Sequence, residues 1–385
     1  MHDATNCQTR RTFLQRFAVW GIVTAGFVRS AGAQSKKKSD NKKGKNSNAA
    51  IQDFGVCYTR PVTAAECAAF KEVILEPGHY SESAFIPPAD NGIAYVSLSS
   101  LFKGHAMQVQ LRQRIDGAGG WLRDANGIAV RYDAQDKDDK AIWLIDLRKP
   151  GVQDALKDYV SNVLDINHRG VYAYKGIYFD SLDQLMLLET DANSSKSNHY
   201  KGLHKAATAF IKSIAEDIDK IAGKRKGKAK TANRKPKLIV SGGISDPPAG
   251  MEDSLKILAP HVNAFLCVDQ ATENGAIRDA HDFTVRRLKE AILAAKDHPL
   301  LFYPIERTPP PGVSPLDTQA AQDPRSRQLI QDVNAYWKTL AQDLAQSLKE
   351  EGTIDAKFEV LMPYCSFDPS FGNLRQYAVD GEPGK

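Results

Sequence analysis

The strongest constraint on the fold is an alternation. Eight short apolar runs recur, at residues 54–58, 72–75, 93–98, 176–180, 238–241, 264–268, 300–304 and 358–363. Several of the segments between them carry apolar residues at three- and four-residue spacing, most clearly 152–164, 200–221, 283–295 and 325–349, which predicts amphipathic helices. Pro150 sits near the start of the first, where proline is tolerated. Strands that alternate with helices predict an α/β fold with a parallel sheet, and eight of them predict a closed (β/α)8 TIM barrel. The rival is a doubly wound open sheet, but no GxGxxG follows the first strand. Two insertions stand out. Residues 121–130 read as a hairpin around Asn126-Gly127, leading to an extra strand at 142–146. Residues 223–237 form a Lys/Arg-rich excursion before the fifth strand.

Ahead of this pattern lie two segments of another kind. Thr9-Arg10-Arg11-Thr12-Phe13-Leu14-Gln15 reads as a twin-arginine signature. An apolar run at 17–28 follows, shorter than the roughly 20 residues that span a bilayer. Ala31-Gly32-Ala33 supplies the small residues a signal peptidase accepts. Residues 1–33 are therefore expected to be a twin-arginine signal peptide; the alternative is an uncleaved anchor. Residues 34–50 are rich in Lys, Ser and Asn with almost nothing to bury, and are expected to be a disordered linker.

Charge divides along the same lines. The chain of 385 residues carries a formal +5, with +3 in residues 1–33 and +5 in 34–50. That leaves −3 for residues 51–385, which are long enough for one large domain. A mildly acidic body argues against a nucleic-acid partner. Cys57, Cys67, Cys267 and Cys365 show no CxxC spacing, so no metal cluster is expected. An oxidising compartment would permit a disulfide between Cys57 and Cys365, which a closed barrel makes neighbours; buried free thiols are the alternative. The histidines show no HExxH spacing, and neither a Gly-x-Ser-x-Gly elbow nor a phosphate loop is present.

Chemistry in such a barrel belongs at the C-terminal strand ends, where loops surround the mouth. Asp180 ends one run and Asp183 follows three residues later; Asp269 ends another; Glu306 follows a third. Helix capping is the competing explanation for Asp180 and Asp183. Carboxylates at three strand ends, turned to one mouth, match glycoside hydrolysis: one carboxyl protonates the leaving oxygen, the other attacks the anomeric carbon or activates water. Tyr58, Tyr95, Tyr178, Tyr303 and Tyr364 lie near strand ends, where rings can stack on sugar faces; packing is the commoner role of Tyr at strand positions.

Three segments then come in a particular order: Ala-Tyr-Val-Ser-Leu at 94–98, Trp-Leu-Ile-Asp-Leu-Arg-Lys-Pro at 143–150, and Lys-Gly-Ile-Tyr-Phe-Asp-Ser-Leu-Asp at 175–183. Their order and spacing resemble the endo-α-1,4-polygalactosaminidase-like family, glycoside hydrolase family 114, over most of residues 51–370. The resemblance implies a (β/α)8 barrel acting on galactosamine-containing exopolysaccharide. It implies a fourth-strand aspartate at Asp180 and a second carboxylate, usually Glu in the family, at Asp269. Asp is one methylene shorter, and Glu306 or Glu273 could supply the reach. Residues 241–246, Ser-Gly-Gly-Ile-Ser-Asp, stand where an Asn-Gly type of turn is expected.

The sequence thus predicts an exported, endo-acting polysaccharide hydrolase, periplasmic or secreted, with catalytic residues Asp180, Asp269 and Glu306. Tyr58, Tyr95, Asp146, Asp183 and Tyr364 are the expected substrate contacts. Its expected partners are a polysaccharide and, during export, the twin-arginine translocase, with no stable membrane anchor. Acid/base cleavage calls for no cofactor. The alternatives are a non-catalytic carbohydrate-binding barrel of the cell envelope and a structural envelope protein.

Overall fold

In the computed structural model the described residues are 52–57, 61–77, 90–102, 108–124, 126–130, 142–164, 174–190, 197–224, 235–242, 244–314, 323–353 and 356–365. The expected signal peptide, the linker and Tyr58 lie outside them.

The eight apolar runs form one parallel sheet. Its strands in spatial order are β1 (Gln52–Cys57), β2 (Phe70–Leu75), β3 (Gly92–Ser97), β6 (Gly176–Asp180), β7 (Lys237–Ser241), β8 (Ala264–Val268), β11 (Leu300–Glu306) and β12 (Phe358–Val360). A ninth piece, β13 (Tyr364–Cys365), pairs in parallel with the end of β11. β6, β7 and β8 are buried along most of their length, because a parallel sheet is covered on both faces. Helices form the cover. α3 (Pro150–Val163) starts at Pro150. α6 (Leu203–Lys224) and α8 (His281–Ala295) follow. α9 (Pro324–Glu350) buries Leu329, Val333, Trp337, Leu340, Leu344 and Leu348, a stripe at three- to four-residue spacing.

The sheet curls into the expected (β/α)8 barrel. Across its interior, Tyr303 on β11 donates to Glu72 on β2 at 2.6 Å, and Lys237 on β7 donates to the same carboxylate. In a flat sheet β2 and β7, three strand spacings apart, would be separated by about 14 Å. Its two edges meet through Phe54 on β1, whose ring lies 5.8 Å from Tyr364, and through the Met362 amide, which donates to Asp53 at 3.4 Å.

The hairpin and the extra strand of the first insertion are present, whereas residues 225–234 of the Lys/Arg-rich excursion lie outside the described residues. β4 (Ser100–Phe102) and β5 (Ile142–Leu144) pair antiparallel off the barrel. Between them, Gly127 at φ +76° turns a hairpin whose Asp124 side chain accepts from the Asn126 and Ile128 amides, both at 2.9 Å. The four cysteines of the barrel are buried and form no disulfide, so Cys57 and Cys365 are not joined. Burial pushes the thiols of Cys267 and Cys365 well above their ordinary range, which keeps them protonated and inert. No helix among the described residues is long and apolar enough to cross a membrane.

Candidate active site

Asp180 is the last residue of β6, where the strand runs out at the barrel mouth. Four donors converge on its half-buried carboxylate. Tyr95 Oη, from neighbouring β3, donates to Oδ2 at 3.1 Å. Oδ1 accepts from Tyr178 Oη at 3.0 Å, from the Ser181 amide at 2.8 Å and from Ser241 Oγ at 2.6 Å. Tyr178 sits two residues earlier on the same strand, hence on the same face. Ser241 ends β7, the strand on the other side.

The backbone turns sharply here. Ser181 adopts φ +80°, a left-handed conformation that a residue with a Cβ rarely takes. Its amide lies within reach of both Asp180 Oδ1 and Ser241 Oγ, so the turn is held from two sides. Asp183 follows in the first turn of α4 (Leu182–Thr190), where a carboxylate complements the helix dipole. Its carboxylate rests against Gly242, the residue after Ser241. A Cβ on Gly242 would stand 2.6 Å from the Asp183 carboxyl carbon.

A second cluster occupies the ends of β8 and β11. Asp269 follows β8 at φ +48°, another left-handed position. Arg307 embraces it: its amide donates to Oδ1 at 2.8 Å, and Nε and Nη2 donate to Oδ2 at 3.0 and 2.7 Å. Glu306 points the other way and is 0% exposed. It accepts from the Ala271 amide at 2.9 Å, the Thr272 amide at 3.2 Å, Thr272 Oγ1 at 2.7 Å and Trp337 Nε1 at 3.3 Å. Thr272 opens a small hairpin, β9 (Thr272–Glu273) with β10 (Ala276–Ile277). Burial and the nearby Asp269 charge push the Glu306 carboxyl up to about 8, against the pull of those donors. The two clusters adjoin, since β7 pairs with β8 and Ser241 stands opposite Leu266, three residues before Asp269.

The remaining expected residues fall as follows. Tyr95 joins Asp180, and Asp183 stands beside it. Asp146 is buried, with Arg148 Nε and Nη2 forked onto its two oxygens at 2.8 and 2.9 Å. Arg148 also donates to the carbonyls of His199 and Lys201, at 2.5 and 3.1 Å, so this pair ties the β5 end to the start of α6. Tyr364, expected to face the sugar, is instead 0% exposed, and its ring packs on Phe54 and Phe70 inside the barrel. Glu306, expected at the mouth, is sealed beneath the β9–β10 hairpin by its four donors. Glu273 is exposed on that hairpin. Ser241, noted in the sequence only as the start of an unexpected turn, holds Asp180, and Arg307, which the sequence did not single out, holds Asp269. Among the described residues no group of His, Cys, Asp and Glu is arranged to hold a metal ion.

No protein-family model matches the chain, and no curated protein matches it either. Among solved structures it is similar to Ega3 of Aspergillus fumigatus, crystallised with galactosamine, at 10% identity and a TM-score of 0.41, over 86% of this chain and 96% of that one. It is also similar to the α-galactosidase TtGalA of Thermus thermophilus, in complex with p-nitrophenyl α-D-galactopyranoside, at 11% identity and a TM-score of 0.35, over 83% of this chain and 58% of that one.

Proposed function

We propose that the chain is a glycoside hydrolase, exported by the twin-arginine route, that cleaves within an amino-sugar exopolysaccharide outside the inner membrane. Asp180 supplies the ionised carboxylate, which attacks the anomeric carbon or activates water. Asp269 is its partner in the carboxyl pair that such cleavage needs. Tyr95 and Asp183 border the sugar. The observation that carries this reading is the Asp180 carboxylate itself, fixed at the fourth barrel strand's mouth end by four donors, with Asp269 at a nearby strand end. Glu306 lies too deep to touch a sugar, so it enters as a support for the hairpin after Asp269.

The test is release of reducing ends from purified α-1,4-linked polygalactosamine by wild type and Asp180→Asn. The reading expects chain cleavage by wild type and loss of about 10²–10⁴-fold in the variant, the range of a positioned acid or base. Equal rates would refute the assignment of Asp180.

One observation favours a second reading, a carbohydrate-binding barrel without catalysis. Asp269 is gripped at both oxygens by Arg307 and Glu306 is sealed. Sugar binding that survives Asp180→Asn, with no reducing ends released by wild type, would establish it.

A further inference from the structure

Resting on the assignment of Asp180 above, we propose that Ser241 and Gly242 act as a two-residue positioning seat for Asp180 and Asp183. The register of β6 and β7 brings the pairs together: Phe179 stands opposite Val240, so Asp180 meets Ser241 at the strand ends. Ser241 performs two tasks with one hydroxyl. It donates to Asp180 Oδ1 at 2.6 Å, and it accepts from the Ser181 amide at 3.2 Å. A hydroxyl can do both, having one proton and two lone pairs. The first bond fixes where the Asp180 carboxylate points; the second helps hold Ser181 at φ +80°. Ser241 is buried, so water is not there to substitute for it.

Gly242 does the matching work for Asp183. It adopts φ +95°, which glycine takes without strain, and leaves open the space into which the Asp183 carboxylate fits. A side chain here would meet Asp183 Cγ at 2.6 Å and its two oxygens at 2.7 Å. The Ser-Gly dipeptide is thus complementary to the Asp-x-x-Asp segment on the adjacent strand, hydroxyl to the first aspartate and vacancy to the second. Neither residue touches the reacting atoms; both act through the aspartates.

The experiment compares wild type, Ser241→Ala, Ser241→Cys and Ser241→Thr on α-1,4-linked polygalactosamine, with folding checked by circular dichroism. Misplacing a reacting carboxylate by about 1 Å costs about a hundredfold. Ser241→Ala is therefore expected to lose about ten- to a hundredfold in kcat with KM within about twofold, and Ser241→Thr, which keeps the hydroxyl, to recover most of it. If Ser241→Ala does not fold, the near-isosteric Ser241→Cys, a weak donor, carries the same comparison. Gly242→Ala is measured with and without Asp183→Ala. Its cost in kcat/KM is expected to shrink at least tenfold when the Asp183 carboxylate has been removed. An active wild type with unchanged kcat in a folded Ser241→Ala or Ser241→Cys overturns the seat alone. A Gly242→Ala cost that is the same in both backgrounds also overturns its second half. A wild type that releases no reducing ends removes the functional reading, and the seat with it.

Discussion

At the scale of single residues, the two aspartates differ in what holds them. Asp180 is surrounded by hydroxyls and an amide, whereas Asp269 is held by a guanidinium. If Asp269 gives a proton to the leaving oxygen, the need for it depends on the leaving group. Asp269→Asn is expected to lose about 10²–10⁴-fold on the polysaccharide and far less on an aryl glycoside whose phenolate departs unprotonated. Parallel kcat/KM measurements on both substrates check this, and equal losses would remove Asp269 from the acid role. Glu306 invites a different measurement. Its carboxyl is raised from an ordinary 4.5 to about 8, so between those pH values the unfolded chain has lost a proton that the folded chain retains. The folded state then binds more protons, and stability contributed by this group falls as pH rises through that window. Glu306→Gln should remove that slope in urea unfolding between pH 5 and 8. It should also cost about 1–3 kcal/mol, because the amide nitrogen brings two protons and no lone pair to a place where a carboxyl oxygen accepted from an N–H or O–H donor. Asp180 was legible in the sequence because a carboxylate ending an apolar run is a local pattern. Ser241 and Arg307 were not: they lie 61 and 38 residues from their partners, and only strand register brings them there.

At the scale of elements, the eight strands were readable because each is a short apolar run, and those at the centre of the sheet, such as β6 and β8, are buried along most of their length. The loops after them were harder, since their geometry is set by ion pairs with distant helices. Arg287, on α8 and 1% exposed, shows how. It donates to the carbonyls of Ile244 and Ser245 at 2.9 and 3.2 Å, to Asp253 at 2.9 and 3.0 Å, and to Glu290 at 2.6 Å. It thereby ties the segment that follows Ser241 and Gly242 to the helix layer. The Arg287 pairing holds Asp253 and Glu290 below the usual carboxylate range, despite their partial burial. Removing one member of a buried pair strands the other, so Arg287→Ala is expected to destabilise by about 3–5 kcal/mol. Arg286→Ala, one residue earlier and exposed, is expected to cost under about 1 kcal/mol. Thermal or urea unfolding of both variants decides whether the loop depends on that one guanidinium.

At the scale of the whole molecule, the decisive fact is closure, which no window of sequence contains. The barrel's end opposite the mouth is bridged by Glu72, Lys237 and Tyr303, from strands β2, β7 and β11. Glu72 and Tyr303 lie five strand spacings apart through the hydrogen-bonded order, which in a flat sheet is about 24 Å. They touch at 2.6 Å only because the sheet curls round on itself. Burial and the Glu72 charge push the Tyr303 hydroxyl well above its ordinary range, so it remains a donor throughout the working pH range. The bond is therefore a gauge of closure that can be read without substrate. A double-mutant cycle of Tyr303→Phe and Glu72→Gln measures it, with Lys237 present throughout. Residues this far apart in an open sheet would give additive losses, within about 0.5 kcal/mol. In the closed barrel the two should couple by about 1.5–3 kcal/mol, the worth of a hydrogen bond to a charged acceptor. Such coupling would also explain how Asp180 on β6 and Asp269 beyond β8 keep a fixed relation at the other end. Strands bridged at their base have little freedom to splay at the mouth, and two carboxylates contributed by different strands stay in register with each other.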